Sequence, residues 1–73
     1  MEIKMSEFGQ RLKLLRIKKN HTQKQMAEML GKTERHYQAM EAGGINVPGL
    51  TLVKLADYFQ VSLDYLVGRS DQR

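Results

Sequence analysis

An all-α fold of five short helices is what this sequence predicts, and three observations carry that prediction. Apolar residues recur at i, i+3, i+4 and i+7 in successive segments, the period of a helix with one buried face. Most segments open on Ser, Thr or Pro and close on Gly or Asn, residues that satisfy or terminate helix ends. No strand-like signal competes with this pattern.

The first helix is expected to start with Ser6 as N-cap and to run to about Lys19, with Phe8, Leu12 and Leu15 on its buried stripe. Asn20 ends it, because Asn tolerates the left-handed conformation at a helix terminus. Thr22 opens the second helix with Gln25 three residues on, the spacing of a capping box. Met26, Met29 and Leu30 form its apolar face beside Ala27, and Gly31 stops it. Thr33 caps a third helix that runs to about Ala42, before Gly43 and Gly44. The segment GGINVPG at 43–49 is the longest loop. Pro48 then suits the first position of a fourth helix, whose stripe is Leu52, Leu55, Ala56 and Phe59. Ser62 caps a short fifth helix, SLDYLV, which Gly68 ends.

Seventy-three residues, 41% of them hydrophobic, make one small globular domain with its core at 6–68 and short tails at each end. With no cysteine there is neither a disulfide nor a thiolate metal site, so stability rests on apolar packing. Two histidines among scattered carboxylates make no metal site at recognisable spacing. No apolar run is long enough to span a bilayer, and the N-terminus lacks a signal-peptide core, so a cytoplasmic protein is expected. The net charge of +4 is unevenly placed: residues 1–35 carry nine Lys/Arg against four Asp/Glu, and residues 36–73 three against four. A basic front half is the pattern of a protein that meets a polyanion with one face.

The stretch Thr22–Glu41 shapes the functional reading. On the third helix Tyr37, Met40 and the margin residue Glu41 share one face, while Arg35, Gln38, Ala39 and Ala42 share the other, flanked by Glu34 and His36. Two helices broken once, the second turning small and polar residues outward, suit entry into the DNA major groove. Periodicity alone is explained equally well by a solvated helix face.

The segments RLKLLRIKKNHTQKQMAEMLG, KTERHYQAMEAG and LVKLADYFQVSLDYLVG together resemble the Cro/phage-repressor-like helix-turn-helix family, also called the XRE family, over roughly residues 8–68. The parts that carry the resemblance are Arg-Leu in helix one, Thr-Gln opening helix two, Ala27 and Gly31 at fixed spacing, Met40-Glu41-x-Gly43 and the final VSLDYLVG. It implies five helices, helix three as the recognition helix, and operator DNA bound by a homodimer.

Residue roles follow from that resemblance. Gln23 and Thr22, at a helix N-terminus that itself favours anions, are placed at a phosphate, with Lys32, Thr33 and Asn46 as further phosphate contacts and His36 as either a phosphate donor or a solvated side chain. Arg35 is the foremost base reader, since a guanidinium bonds bidentately to guanine; Gln38 reads adenine or binds phosphate, and Ala39 offers a methyl to thymine. Glu34 departs from the family pattern: it either accepts from cytosine N4 or pairs with Arg35 or Lys32, and the pairing is the expectation. His21, where relatives are apolar, is read as packing or as a phosphate neighbour. Arg16 and Glu41 match an ion pair between helices one and three, and Tyr65, Leu66 and Val67 lie where relatives build a dimer contact. Leu14 and Ile17 fall outside the buried stripe of helix one.

The reading is a sequence-specific DNA-binding transcriptional regulator, a repressor that binds a palindromic operator as a dimer. A second reading is a protein-interaction module of antitoxin or anti-repressor type on the same fold, favoured by Glu34 and by exposed Leu14 and Ile17. No nucleophile, paired carboxylates, phosphate-cradling glycine loop or metal cluster marks an enzyme, and no cofactor is expected.

Overall fold

The computed structural model describes residues 5–73, in which five helices follow one another: α1 Met5–Lys18, α2 Gln23–Leu30, α3 Glu34–Ala42, α4 Gly49–Phe59 and α5 Leu63–Leu66. No strand occurs among the described residues. The helix ends obey local chemistry. Thr22, Thr33 and Ser62 each hold extended backbone and accept from the N–H three residues on. Gly31 and Gly43 end α2 and α3 in the left-handed conformation, at φ 68° and 74°.

Two expected starts differ. Ser6 lies inside α1, which is already helical at Met5, so the expected N-terminal tail is shorter and its first four residues lie outside the described ones. Thr22, Thr33 and Ser62 each stand two residues after a left-handed residue, Asn20, Gly31 and Gln60, that ends the preceding helix; no helix precedes Ser6 among the described residues. Pro48 is the N-cap of α4 rather than its first residue: its ψ of 147° is extended, and its carbonyl accepts the first helical bond, from Leu52 N–H at 3.1 Å. No side chain caps α4.

The apolar stripes of all five helices meet in one core built on Phe8, Leu12, Met26, Tyr37, Met40, Leu55 and Leu66, with Leu15, Ala27, Leu52, Ala56, Phe59 and Val67 around them. α3 packs against both α1 and α2, so the second half of the helix-turn-helix is held on two sides. Gly9 permits the α1–α3 approach: a Cβ there would lie 2.8 Å from the Glu41 carbonyl carbon and 3.0 Å from the Met40 carbonyl oxygen. A glycine in a helix interior otherwise weakens the helix by ~1 kcal/mol relative to alanine, so close backbone contact accounts for its presence.

Arg11 ties α1 to the C-terminal segment. Its guanidinium donates to the carbonyls of Tyr65 (2.8 Å) and Ser70 (2.6 Å), pairs with Asp71 and lies 4.4 Å from the centre of the Tyr65 ring. The expected C-terminal tail is thereby folded back; Arg73 also accepts from the Ser62 N–H.

Candidate nucleic-acid interface

The α2–turn–α3 unit is defined by its caps. The reciprocal box joins Thr22 and Gln25 (3.0 and 2.8 Å), and the Gly31 turn is closed by Lys32 N–H donating to the Ala27 carbonyl at 2.9 Å. The N–H groups of Gln23 and Lys24 have no partner among the described residues, so the first turn of α2 presents backbone donors and the positive end of its dipole. Lys24 is exposed in that turn. It was not among the expected contacts, although its position two residues after the Thr22 cap was a readable signal.

α3 is anchored by Tyr37 and Met40, which are fully buried. Its other side carries Glu34, Arg35, His36 and Gln38, all exposed, with Ala39 half-buried and Ala42 exposed beside them. Lys32, Thr33 and Asn46 are exposed at the adjoining turn and loop. The expected pairing of Glu34 with Arg35 or Lys32 is absent: neither forms an ion pair with it. Residues one or two positions apart diverge around the helix axis and do not face each other. The Glu34 carboxylate instead stands alone in the first turn of α3, where the helix dipole favours it.

Behind the outward face, three helices converge on one carboxylate. Arg16 of α1 binds Glu41 of α3 through Nε (2.6 Å) and Nη2 (3.2 Å), and its Nη1 donates to the His21 carbonyl at 2.9 Å. Gln23 of α2 donates its side-chain amide to Glu41 at 3.2 Å. The Arg16 and Glu41 side chains retain only 12% and 4% of their exposure. Burial alone would raise the Glu41 pKa, but hydrogen bonding, first of all from Arg16, outweighs it and holds the carboxyl below its ordinary value. The same bond raises the Arg16 pKa against the opposing effect of burial. The Tyr37 hydroxyl ends beside this pair, completely enclosed and without a hydrogen-bond partner among the described residues. Burial first, and then the neighbouring Glu41 charge, push its pKa far up, so it stays neutral. One amide donor of Gln23 is thus directed inward, which the sequence pattern did not reveal.

His21 is a packing residue: its ring stacks on Tyr58, with centroids 5.8 Å apart, and its Nε2 is hydrogen-bonded to the Tyr58 hydroxyl. The expected dimer residues need correction. Leu66 and Val67 are 0% and 5% exposed and belong to the core, and Tyr65 is half-buried under Arg11. A four-residue α5 has one inward side, and Leu66 and the following Val67 fill it. The exposed apolar side chains nearby are Leu63 on α5 and Leu50 and Val53 on α4.

No group of metal-ligating side chains is assembled among the described residues, and no helix of the described chain is long and apolar enough to cross a membrane.

Comparison with known proteins places this geometry. The chain is 40% identical over 60 residues to the SPbeta prophage-derived HTH-type transcriptional regulator YonR of Bacillus subtilis, covering 82% of this chain and 56% of the relative. It is 39% identical over 67 residues to the HTH-type transcriptional regulator YqaE of the same organism, covering 90% and 58%. A third relative there, YobD, is 39% identical over 64 residues, covering 88% and 57%. The chain therefore spans between half and two thirds of the length of the curated relatives it matches. The helix-turn-helix family model matches residues 12–66, which hold α2 and α3 entire together with the Arg16–Glu41 pair. With that match and these relatives, the chain belongs to the helix-turn-helix family of the Cro and phage-repressor (XRE) type.

Proposed function

We propose that this chain is the DNA-reading part of a sequence-specific transcriptional regulator, a repressor that binds a palindromic operator as a homodimer in the cytoplasm and catalyses no reaction. The observation that carries the reading is α3 itself, held by Tyr37, Met40 and the Arg16–Glu41 pair while Glu34, Arg35 and Gln38 stand exposed. Three relatives are named transcriptional regulators, which supports the same reading.

In this proposal α3 enters the major groove. Arg35 bonds a guanine, Gln38 an adenine, Ala39 packs on a thymine methyl, and Glu34 accepts from a cytosine amino group. The unpaired N–H groups of Gln23 and Lys24, the second amide hydrogen of Gln23, and the side chains of Thr22, Lys24, Lys32, Thr33, His36 and Asn46 take the phosphates. The protein measures 29 × 23 × 19 Å and bears one reading helix. Successive major grooves lie about 34 Å apart, so reading two half-sites takes two molecules. Leu50, Val53, Leu63 and the edge of Tyr65 are the side chains offered for the contact between them.

Selection of bound sites from random DNA tests the proposal. The expected outcome is a two-fold symmetric motif bound in a salt-dependent manner. Arg35→Ala should relax one base position per half-site at a cost of ~1–3 kcal/mol. An unchanged motif for Arg35→Ala would remove the base-reading role, and absence of salt-sensitive DNA binding would leave the protein-interaction reading.

A further inference from the structure

The outer side of α1 has no role in the DNA reading, yet it is apolar where solvent would be met. Leu14 and Ile17, one turn apart, are 57% and 51% exposed. α1 turns Phe8, Leu12 and Leu15 into the core and lays Gly9 and Arg16 against α3. On the helical wheel Gln10, Lys13, Leu14 and Ile17 share the remaining face, with Lys18 at its edge beyond Leu14 and Glu7 between those two at the N-terminal end; all are exposed.

The charge around this strip is one-sided. Lys13 and Lys18 stand on opposite flanks and make no ion pair among the described residues. The described carboxylates that α1 could draw on are turned elsewhere: Glu7 lies against Gly68, Asp71 is bound by Arg11, and Glu41 by Arg16. An apolar ridge between two unpaired ammonium groups matches an amphipathic helix that is apolar on one side and carries carboxylates at its margins. It is a poor match for a second copy of itself, since apposed α1 helices would bring Lys13 and Lys18 near their counterparts. DNA is a poor match too, because the centre of the patch is hydrocarbon.

We propose that the outer face of α1, from Gln10 to Lys18, is a docking surface for an acidic amphipathic helix of another protein. Leucine-type side chains of that partner sit on Leu14 and Ile17, and its carboxylates meet Lys13 and Lys18. The face is separate from α3, so a partner there can be held while the reading helix is on DNA.

A helical peptide of about four turns, with leucines at i, i+3, i+4 and i+7 flanked by glutamates, is the probe. It is titrated into isotopically labelled protein alongside a version with lysines in place of the glutamates. The expected result is saturable binding of the glutamate peptide, weakened by salt, with amide shifts centred on residues 10–18, and no binding of the lysine peptide. Leu14→Gln/Ile17→Gln should weaken binding by about tenfold or more while leaving helicity and DNA binding unchanged. Lys13→Glu/Lys18→Glu should reverse the preference between the two peptides. The proposal is overturned by an absence of saturable binding, by equal affinity of both peptides, or by binding that Leu14→Gln/Ile17→Gln does not alter. Self-association of the protein that this double variant abolishes would assign the face to a second copy. Loss of DNA binding in the variant would assign it to DNA.

Discussion

Replacing Glu41 by glutamine keeps the shape of the side chain and removes the charge on which α1, α2 and α3 converge. Arg16 would then be a guanidinium with 12% of its side chain exposed and the His21 carbonyl as its remaining strong acceptor. Breaking a buried ion pair by removing one partner costs ~3–5 kcal/mol; the neutral amide oxygen that remains can still accept one bond, so about 2–3 kcal/mol is expected. For a domain of this size, total stability is ~4–11 kcal/mol, and the loss corresponds to a Tm lower by ~10–20 °C. The dependence on pH has a definite sign. The folded carboxyl titrates below its ordinary value of 4.5. Its contribution is therefore complete above that value and disappears as pH falls through the folded pKa. Urea unfolding of wild type, Glu41→Gln, Arg16→Met and the double variant should be measured at about pH 7 and about pH 3. It should give a coupling of at least ~1 kcal/mol at the higher pH and a smaller one at the lower. A cost below ~0.5 kcal/mol near neutrality, or the same cost at both pH values, would refute the reasoning, because surface substitutions behave that way.

Other expected outcomes are independent of that pair. Gly9→Ala should destabilise by ~1–3 kcal/mol in spite of the better helix propensity of alanine, because the new methyl meets α3 backbone that cannot yield; a higher Tm would contradict the close approach. Gln60 ends α4 at φ 55° without being a glycine, so Gln60→Gly should stabilise by ~0.5–1 kcal/mol, seen as a raised urea midpoint. Leu63→Lys should leave the fold intact and reduce cooperative binding to a two-half-site operator. Leu66→Lys should unfold the protein, as judged by circular dichroism, since Leu66 is fully enclosed.

Features written within a few neighbouring residues were legible in the sequence. The Thr22–Gln25 box, the Thr33 and Ser62 caps, the Gly31 and Asn20 turns, and the stripes of α1 and α4 all depend on spacing alone. Ser6 failed because a capping residue type predicts a helix start only after a backbone break. Contacts between segments were less accessible. The inward turn of the Gln23 amide and the back-binding of residues 70–71 by Arg11 depend on side chains distant in sequence meeting in space. Tyr65, Leu66 and Val67 were assigned by position in a family, but period 3.6 cannot decide the inward side of a helix with one turn. Burial decided it: Leu66 and Val67 fill the core, and Leu63 is the exposed apolar residue of α5. The outward face of α3 followed from Tyr37 and Met40, because fixing the buried side of a two-turn helix leaves the other side to solvent.

α3 has nine residues, well short of the ~12–15 at which a helix is even marginally stable by itself. Its existence is therefore borrowed from Tyr37, Met40 and Glu41, none of which is turned to the outside. Positions 34, 35 and 38 owe the fold almost nothing, and exchange of such exposed residues shifts stability by only ~0.5 kcal/mol. Under the proposed function, natural variation can therefore rewrite what this helix reads one position at a time, with each intermediate still folded. A lineage of descendants can diverge in target sequence while inheriting one unchanged body.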